Sequence, residues 1–95
     1  MSSNHPKVSV VIPCYNDKDY IQETVQSVLY QTFQDFEILI VDDGSSLEDI
    51  IALETLIDKL KSQKEPVQLI KHKVNLGFSS AVNSGVKSSN ADFIV

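Results

Sequence analysis

The sequence predicts an α/β fold with a mostly parallel sheet and the element order β-α-β-α-β-α-β. Three observations carry that prediction. Short, β-branched apolar runs recur at "VSVVI" (8–12), "EILIV" (37–41) and "VQLI" (67–70), and "ADFIV" (91–95) opens a fourth. The runs are nearly continuous rather than alternating, which fits strands covered on both faces, as parallel strands are. Segments with apolar residues three and four apart separate them, so right-handed crossovers build half of a doubly wound sheet.

Each element has its own justification. In residues 19–32, Ile21, Val25, Val28, Leu29 and Thr32 form one stripe, with Asp17 or Asp19 available to cap the first turn. In residues 47–61 the stripe is Leu47, Ile50, Leu53, Leu56, Ile57 and Leu60. Ser45 and Glu48 have capping-box spacing there, and Lys59 and Lys61 suit the negative end of the helix dipole. Pro66 forces extended backbone before the third strand. Residues 78–89 are helical through Ala81, Val82 and Val86, although the serines and Gly85 lower the propensity. The final run stops after three apolar residues, which reads as a chain cut from a longer protein.

Composition narrows the function. The chain has 95 residues, enough for one small domain, and a net charge of −5 with lysine as its only strong base. An acidic, arginine-free surface does not suit nucleic acid or anionic lipid. A lone cysteine, Cys14, cannot form an internal disulfide, and the N-terminus has no signal-peptide pattern, so the expected setting is cytoplasmic.

In open α/β sheets ligands bind at the carboxyl ends of the strands. There the sequence places Pro13, Cys14, Tyr15, Asn16 and Asp17, then "DDGSS" (42–46), then His72 to Ser79. No G-x-G-x-x-G, no P-loop and no zinc spacing occurs. Cys14 lies near a helix start and could be a nucleophile, but apolar filler beside the strand is the better reading. Successive residues point to opposite faces, so Asp42 and Asp43 do not act as one unit. One can cap the following turn, while the other faces the crevice and can accept an N–H bond from a base. Tyr15 can stack on or border that base, and Asn75 with the Gly77 turn can bring backbone close to a ligand. Taken alone, "DDGSS" also reads as nothing more than a turn and a helix cap.

"VSVVIPCYN", "SVLYQTFQDFEILIVDDGSS" and "NLGFSSAVNSG" resemble, in order and spacing, the N-terminal half of the family two glycosyltransferases, from Val8 to Val95. The resemblance implies a three-layer, Rossmann-like half of the GT-A fold and transfer of a sugar from a nucleotide-diphosphate donor of UDP or GDP type. It implies a glycan or lipid-linked acceptor, an inverting outcome and, for the whole protein, a cytoplasmic or membrane-peripheral setting. By the same likeness Pro13, Tyr15 and Asn16 border the nucleotide. Asp43 accepts a bond from the base, with Asp42 as second candidate. The stretch from Asn75 through Gly77 to Asn83 borders the nucleoside. Gln31, Thr32 and Ser27 take structural roles, Ser27 as a small residue at a helix–sheet contact. A divalent cation, Mg or Mn, is implied on the diphosphate, with ligands beyond Val95. No catalytic residue and no metal ligand is therefore expected within the chain, which should not transfer sugar alone. The fourth strand should lie beside the first as an apolar edge, inviting self-association through residues 91–95. The competing reading is a non-catalytic interaction or regulatory α/β module. A receiver-type module would carry its acidic pair after the first strand, where this sequence has "PCYN".

Overall fold

The computed structural model describes residues 8–30 and 35–95. Seven elements follow in order: β1 (Val8–Cys14), α1 (Ile21–Leu29), β2 (Phe36–Asp43), α2 (Leu47–Ser62), β3 (Val67–His72), α3 (Phe78–Ser88) and β4 (Phe93–Ile94). The four strands form one sheet in the order β3-β2-β1-β4, and every pairing is parallel. This is the predicted α/β arrangement, with the fourth strand beside the first. Gln31 and Thr32 lie outside the described residues.

The central strand explains the continuous apolar runs. Ile38, Leu39, Ile40 and Val41 are all fully buried, because both faces of β2 are covered. Ile38 and Ile40 join Cys14, Val67, Ile21 and Val25 of α1, and Leu53, Ile57 and Leu60 of α2 in one core. The odd-numbered face of β2 turns instead to α3, which packs on β1 and β2.

Three local expectations change on inspection. The α3 contact runs through the small residues Ala81 and Gly85, while Val86 is exposed. A Cβ on Gly85 would sit 2.4 Å from Val11 Cγ1, so Gly85 is there for close helix–strand approach rather than as a weak spot in the helix. Leu47 heads the α2 stripe but is exposed, because the first turn lies past the edge of the core. Ser27 is also exposed and donates its hydroxyl to the Glu23 carbonyl, so it does not lie at a helix–sheet contact.

The helix ends also differ from the expected caps. At α1 neither aspartate side chain caps; the Asp17 carbonyl accepts from the Tyr20 and Ile21 amides, at 2.9 Å each. At α2 the cap residue is Ser46, not Ser45, and its hydroxyl bonds Asp49, not Glu48. Helix α2 closes with Lys64 in left-handed backbone (φ 62°), and the Glu65 amide returns to the Leu60 carbonyl at 3.0 Å. That is the geometry glycine usually supplies at a helix end, and it precedes the extended Pro66.

Candidate functional site

The site is built where β1, β2 and β3 end. Alternation along β2 sends Asp42 and Asp43 to opposite faces, as their adjacency requires. Asp42 points toward α2 and is buried. Its carboxylate accepts from the Ser45 amide at 3.1 Å and from the Ser45 hydroxyl, and the Cys14 thiol lies 3.9 Å away. It therefore steadies the β2–α2 turn.

Asp43 points toward α3. Its Oδ1 accepts from His72 Nδ1 at 2.7 Å and the Leu76 amide at 2.9 Å. Its Oδ2 accepts from the Gly77 amide at 2.8 Å and Asn75 Nδ2 at 3.1 Å. An ionised carboxylate offers about four lone-pair positions, and here all are matched. The His72 hydrogen bond, then the Leu76 amide, hold the Asp43 carboxyl below the usual carboxylate range. Two further features bring this loop onto Asp43. Gly44 has φ 77°, and a Cβ there would lie 2.3 Å from the Val74 carbonyl carbon, so only glycine lets the β3–α3 loop cross the turn. Asn75 also donates to the Asp43 carbonyl at 3.2 Å, which fixes the loop to β2.

A cleft of about 440 Å³ opens beside Asp43. Pro13, Cys14 and Ala81 supply apolar lining; Tyr15 and Phe78 are exposed aromatic rings on its wall; Asp17, Asn75 and Gly77 complete it. Of the residues anticipated from sequence, the cleft brings together Pro13, Tyr15, Asp43, Asn75 and Gly77. It does not include Asn16, Asp42 or Asn83. Asn16 adopts left-handed backbone (φ 55°), donates its amide to the Ser45 hydroxyl at 2.8 Å and accepts from the Ser46 amide at 2.9 Å. It stitches the first strand-end loop to the start of α2. Asn83 lies on the exposed side of α3.

Asp17 and His72 fall among the strand-end residues, and Phe78 and Ala81 within the Asn75–Asn83 stretch, but the sequence gives none of the four an individual functional role. Phe78 directly follows Gly77, and an aromatic residue at an exposed helix start was a usable signal. His72 was not legible, because its pairing with Asp43 depends on the β2–β3 register, which sets the two opposite each other.

The chemistry of the donors argues against a cation here. Among the described residues no three His, Cys, Asp or Glu side chains converge as metal ligands. Asp42 and Asp43 diverge and are each engaged by N–H and O–H donors, so they do not fit a divalent ion. Cys14 is buried, and burial first, then the nearby Asp42 charge, push its thiol up to about 12, which disfavours the thiolate that a nucleophile needs.

The chain matches known proteins over nearly its whole length. A family profile described as Glycosyl transferase family 2 matches residues 9–95. Uncharacterized glycosyltransferase RC0461 of Rickettsia conorii is 42% identical over 91 residues, covering 96% of this chain and 14% of that protein. Uncharacterized glycosyltransferase EpsJ of Bacillus subtilis is 33% identical over 89 residues, covering 94% of this chain and 24% of its own length. The chain thus spans a quarter or less of these two relatives. Among solved structures, S. aureus TarS 1–349 in complex with UDP-GlcNAc superposes with a TM-score of 0.80 at 27% identity, covering 94% of this chain and 25% of that one. A mannosyltransferase of Pyrobaculum calidifontis, in complex with GDP-Man and Mn2+, shares the fold with a TM-score of 0.77 at 20% identity, covering 92% of this chain and 25% of its own. These matches remove the reading as a receiver-type regulatory module. With the profile covering all but the first eight residues, the chain belongs to glycosyl transferase family 2.

Proposed function

We propose that the cleft takes the nucleoside part of a nucleotide-diphosphate sugar, of UDP or GDP type, and that the chain is the nucleoside-binding half of a glycosyltransferase domain. The observation that carries this reading is the ionised Asp43 carboxylate beside Tyr15 and the Asn75–Gly77 loop, in a cleft at the carboxyl ends of three parallel strands. TarS, seen with UDP-GlcNAc, supports the choice of ligand class. In this reading Pro13 and Ala81 offer an apolar floor and the Tyr15 ring borders the base, as small-molecule sites require. A base N–H reaching Asp43 has to displace one of its four donors. The Asn75 amide, at 3.1 Å the longest of them, is the readiest to yield. Asn16 and Asp42 act from behind the cleft, holding the loops that form it.

The rest of the proposal concerns the whole protein. Its acceptor is a glycan or lipid-linked glycan, the outcome is inversion, and a divalent cation, Mg or Mn, rests on carboxylates outside this chain. A cytoplasmic or membrane-peripheral setting suits the single free thiol, and among the described residues no helix is long and apolar enough to cross a membrane. Phe93 and Ile94 of the outermost strand and Val95 just after it are exposed, so we also propose that this edge pairs with a second copy in solution.

Titrating the chain with UDP and GDP, followed by amide chemical shifts, tests the cleft. The expected result is weak, saturable binding that moves the resonances of Tyr15, Asn75 and Gly77 and is lost in Asp43→Ala. Saturable shifts confined to other regions, or none at millimolar nucleotide, would overturn the reading.

A further inference from the structure

We infer that His72 is a positioning residue of the cleft, fixing the Asp43 carboxylate so that it draws the Leu76 and Gly77 amides into the cleft wall. The β2–β3 register sets Asp43 and His72 opposite each other, so both side chains project from the same face of the sheet. The ring is almost fully buried and is held at both nitrogens, Nδ1 at 2.7 Å from Asp43 Oδ1 and Nε2 at 2.7 Å from Ser84 Oγ.

The protonation pattern follows from the partners. An ionised carboxylate only accepts, so the Nδ1 facing it must carry a proton. In the neutral ring Nε2 then accepts from the Ser84 hydroxyl. If the ring gains a second proton, Nε2–H donates to the same oxygen, because a hydroxyl can serve either way. His72 thus keeps both bonds in either charge state. Ser84 sits on α3 and Asp43 on β2, so the imidazole also ties the helix to the strand whose carboxylate gathers the loop between them.

Without His72 the carboxylate loses the partner that does most to keep it ionised. It also becomes free to rotate away from Leu76 and Gly77. The role is positional: the ring is not among the residues lining the cleft and acts through Asp43. The positioning itself stands on geometry alone; only its bearing on nucleotide rests on the proposed function above.

The experiment uses the 95-residue chain labelled with nitrogen-15. Long-range proton–nitrogen spectra near neutral pH are expected to show His72 protonated at Nδ1. His72→Asn keeps an N–H donor near the Nδ1 position, whereas His72→Leu keeps bulk and removes it. The asparagine variant keeps the bond to Asp43 but loses the one to Ser84, so it should retain near wild-type amide shifts of Leu76 and Gly77 and speed their exchange no more than Ser84→Ala does. The leucine variant should move both amides upfield, speed their exchange by about tenfold and weaken UDP binding by a similar factor. Ser84→Ala, which frees one end of the ring, should speed exchange by a smaller factor and leave the Nδ1 proton in place. A neutral ring protonated at Nε2, or Leu76 and Gly77 amides unmoved in a folded leucine variant, would overturn the inference. If the leucine variant does not fold, the tautomer and the Ser84→Ala exchange rates decide it. If wild type binds no nucleotide, the cleft reading falls while these measurements still decide the role of His72.

Discussion

The peptide linking Val74 and Asn75 lies directly against Gly44: a Cβ on Gly44 would be 2.3 Å from the Val74 carbonyl carbon and 2.4 Å from the Asn75 nitrogen. Two loops from different strands cross here with no side chain between them. Gly44→Ala meets both left-handed backbone and rigid neighbouring backbone, and should lower unfolding stability by about 3 kcal/mol or more. Gly77→Ala also strains the backbone, at φ 103°, but its Cβ would enter open space, so the cost should be smaller, about 1–3 kcal/mol. Urea midpoints of the two variants check the order; equal losses would show that the crossing is not the tighter constraint.

Gly85 and Val11 give a second, independent test. Gly85→Ala should improve helix propensity by about 1 kcal/mol yet destabilise the protein, because the new methyl meets Val11. Val11→Ala alone makes a void. The double variant should be more stable than the sum of the single changes predicts, with a coupling of about 1 kcal/mol or more. Strict additivity in urea unfolding would remove the contact from the account.

Asp43 makes stability depend on acid. Its folded-state pKa is held below the unfolded value by His72 and the Leu76 and Gly77 amides. The ionised carboxylate therefore contributes stability that is fully present above the unfolded pKa of about 4. That contribution is lost as pH falls through the depressed folded value. Asp43→Asn should be less stable near neutral pH, since an amide N–H2 would face donors, and its stability should change less than wild type between pH 5 and about 2. Parallel slopes for the two proteins over that range would contradict the assignment.

Cys14 should be inert in the folded chain. With its thiol pushed up to about 12, a disulfide reagent at pH 8 should react at least about a hundredfold more slowly than with the unfolded chain. Comparable rates in buffer and in denaturant would mean that the thiol is neither buried nor held by the Asp42 field.

The β4 edge should govern association. Val95 bonds inward to β1, donating to the Ser9 carbonyl at 2.8 Å and accepting from the Val11 amide at 3.0 Å, and among the described residues no strand lies on the outer side of β4. Ile94→Lys should shift light-scattering mass toward the monomer, since edge lysines oppose strand pairing. An unchanged, concentration-independent monomer in both proteins would sink the proposal.

The order of elements was legible because it rests on local pattern: "EILIV" has no polar alternation, and a strand covered on both faces needs none. The split of Asp42 from Asp43 was legible for the same reason, since strand alternation is a local rule. What stayed hidden depends on pairing between distant segments. Gly85 looks like a poor helix residue until β1 brings Val11 against it. His72 looks like one more polar residue at a strand end until the register sets it beside Asp43. Asn16 and Ser46 form a cap across a gap of thirty positions, which no local motif encodes. The Lys64 turn is hidden differently, because lysine is an uncommon choice for left-handed backbone.

The two adjacent carboxylates also behave as a phase marker for β2. Asp42 fastens the turn on the α2 side and Asp43 the loop on the α3 side, so each is correct on one face only. Slipping the register of the strand by a single residue would exchange them. It would carry the Ser45 partner to the cleft side and the Leu76–Gly77 partner into the α2 core, and would turn Ile38 and Ile40 away from the core at the same step. Local loop chemistry and global core packing thus reject the same slip, which ties the position of the cleft to the register of the central strand.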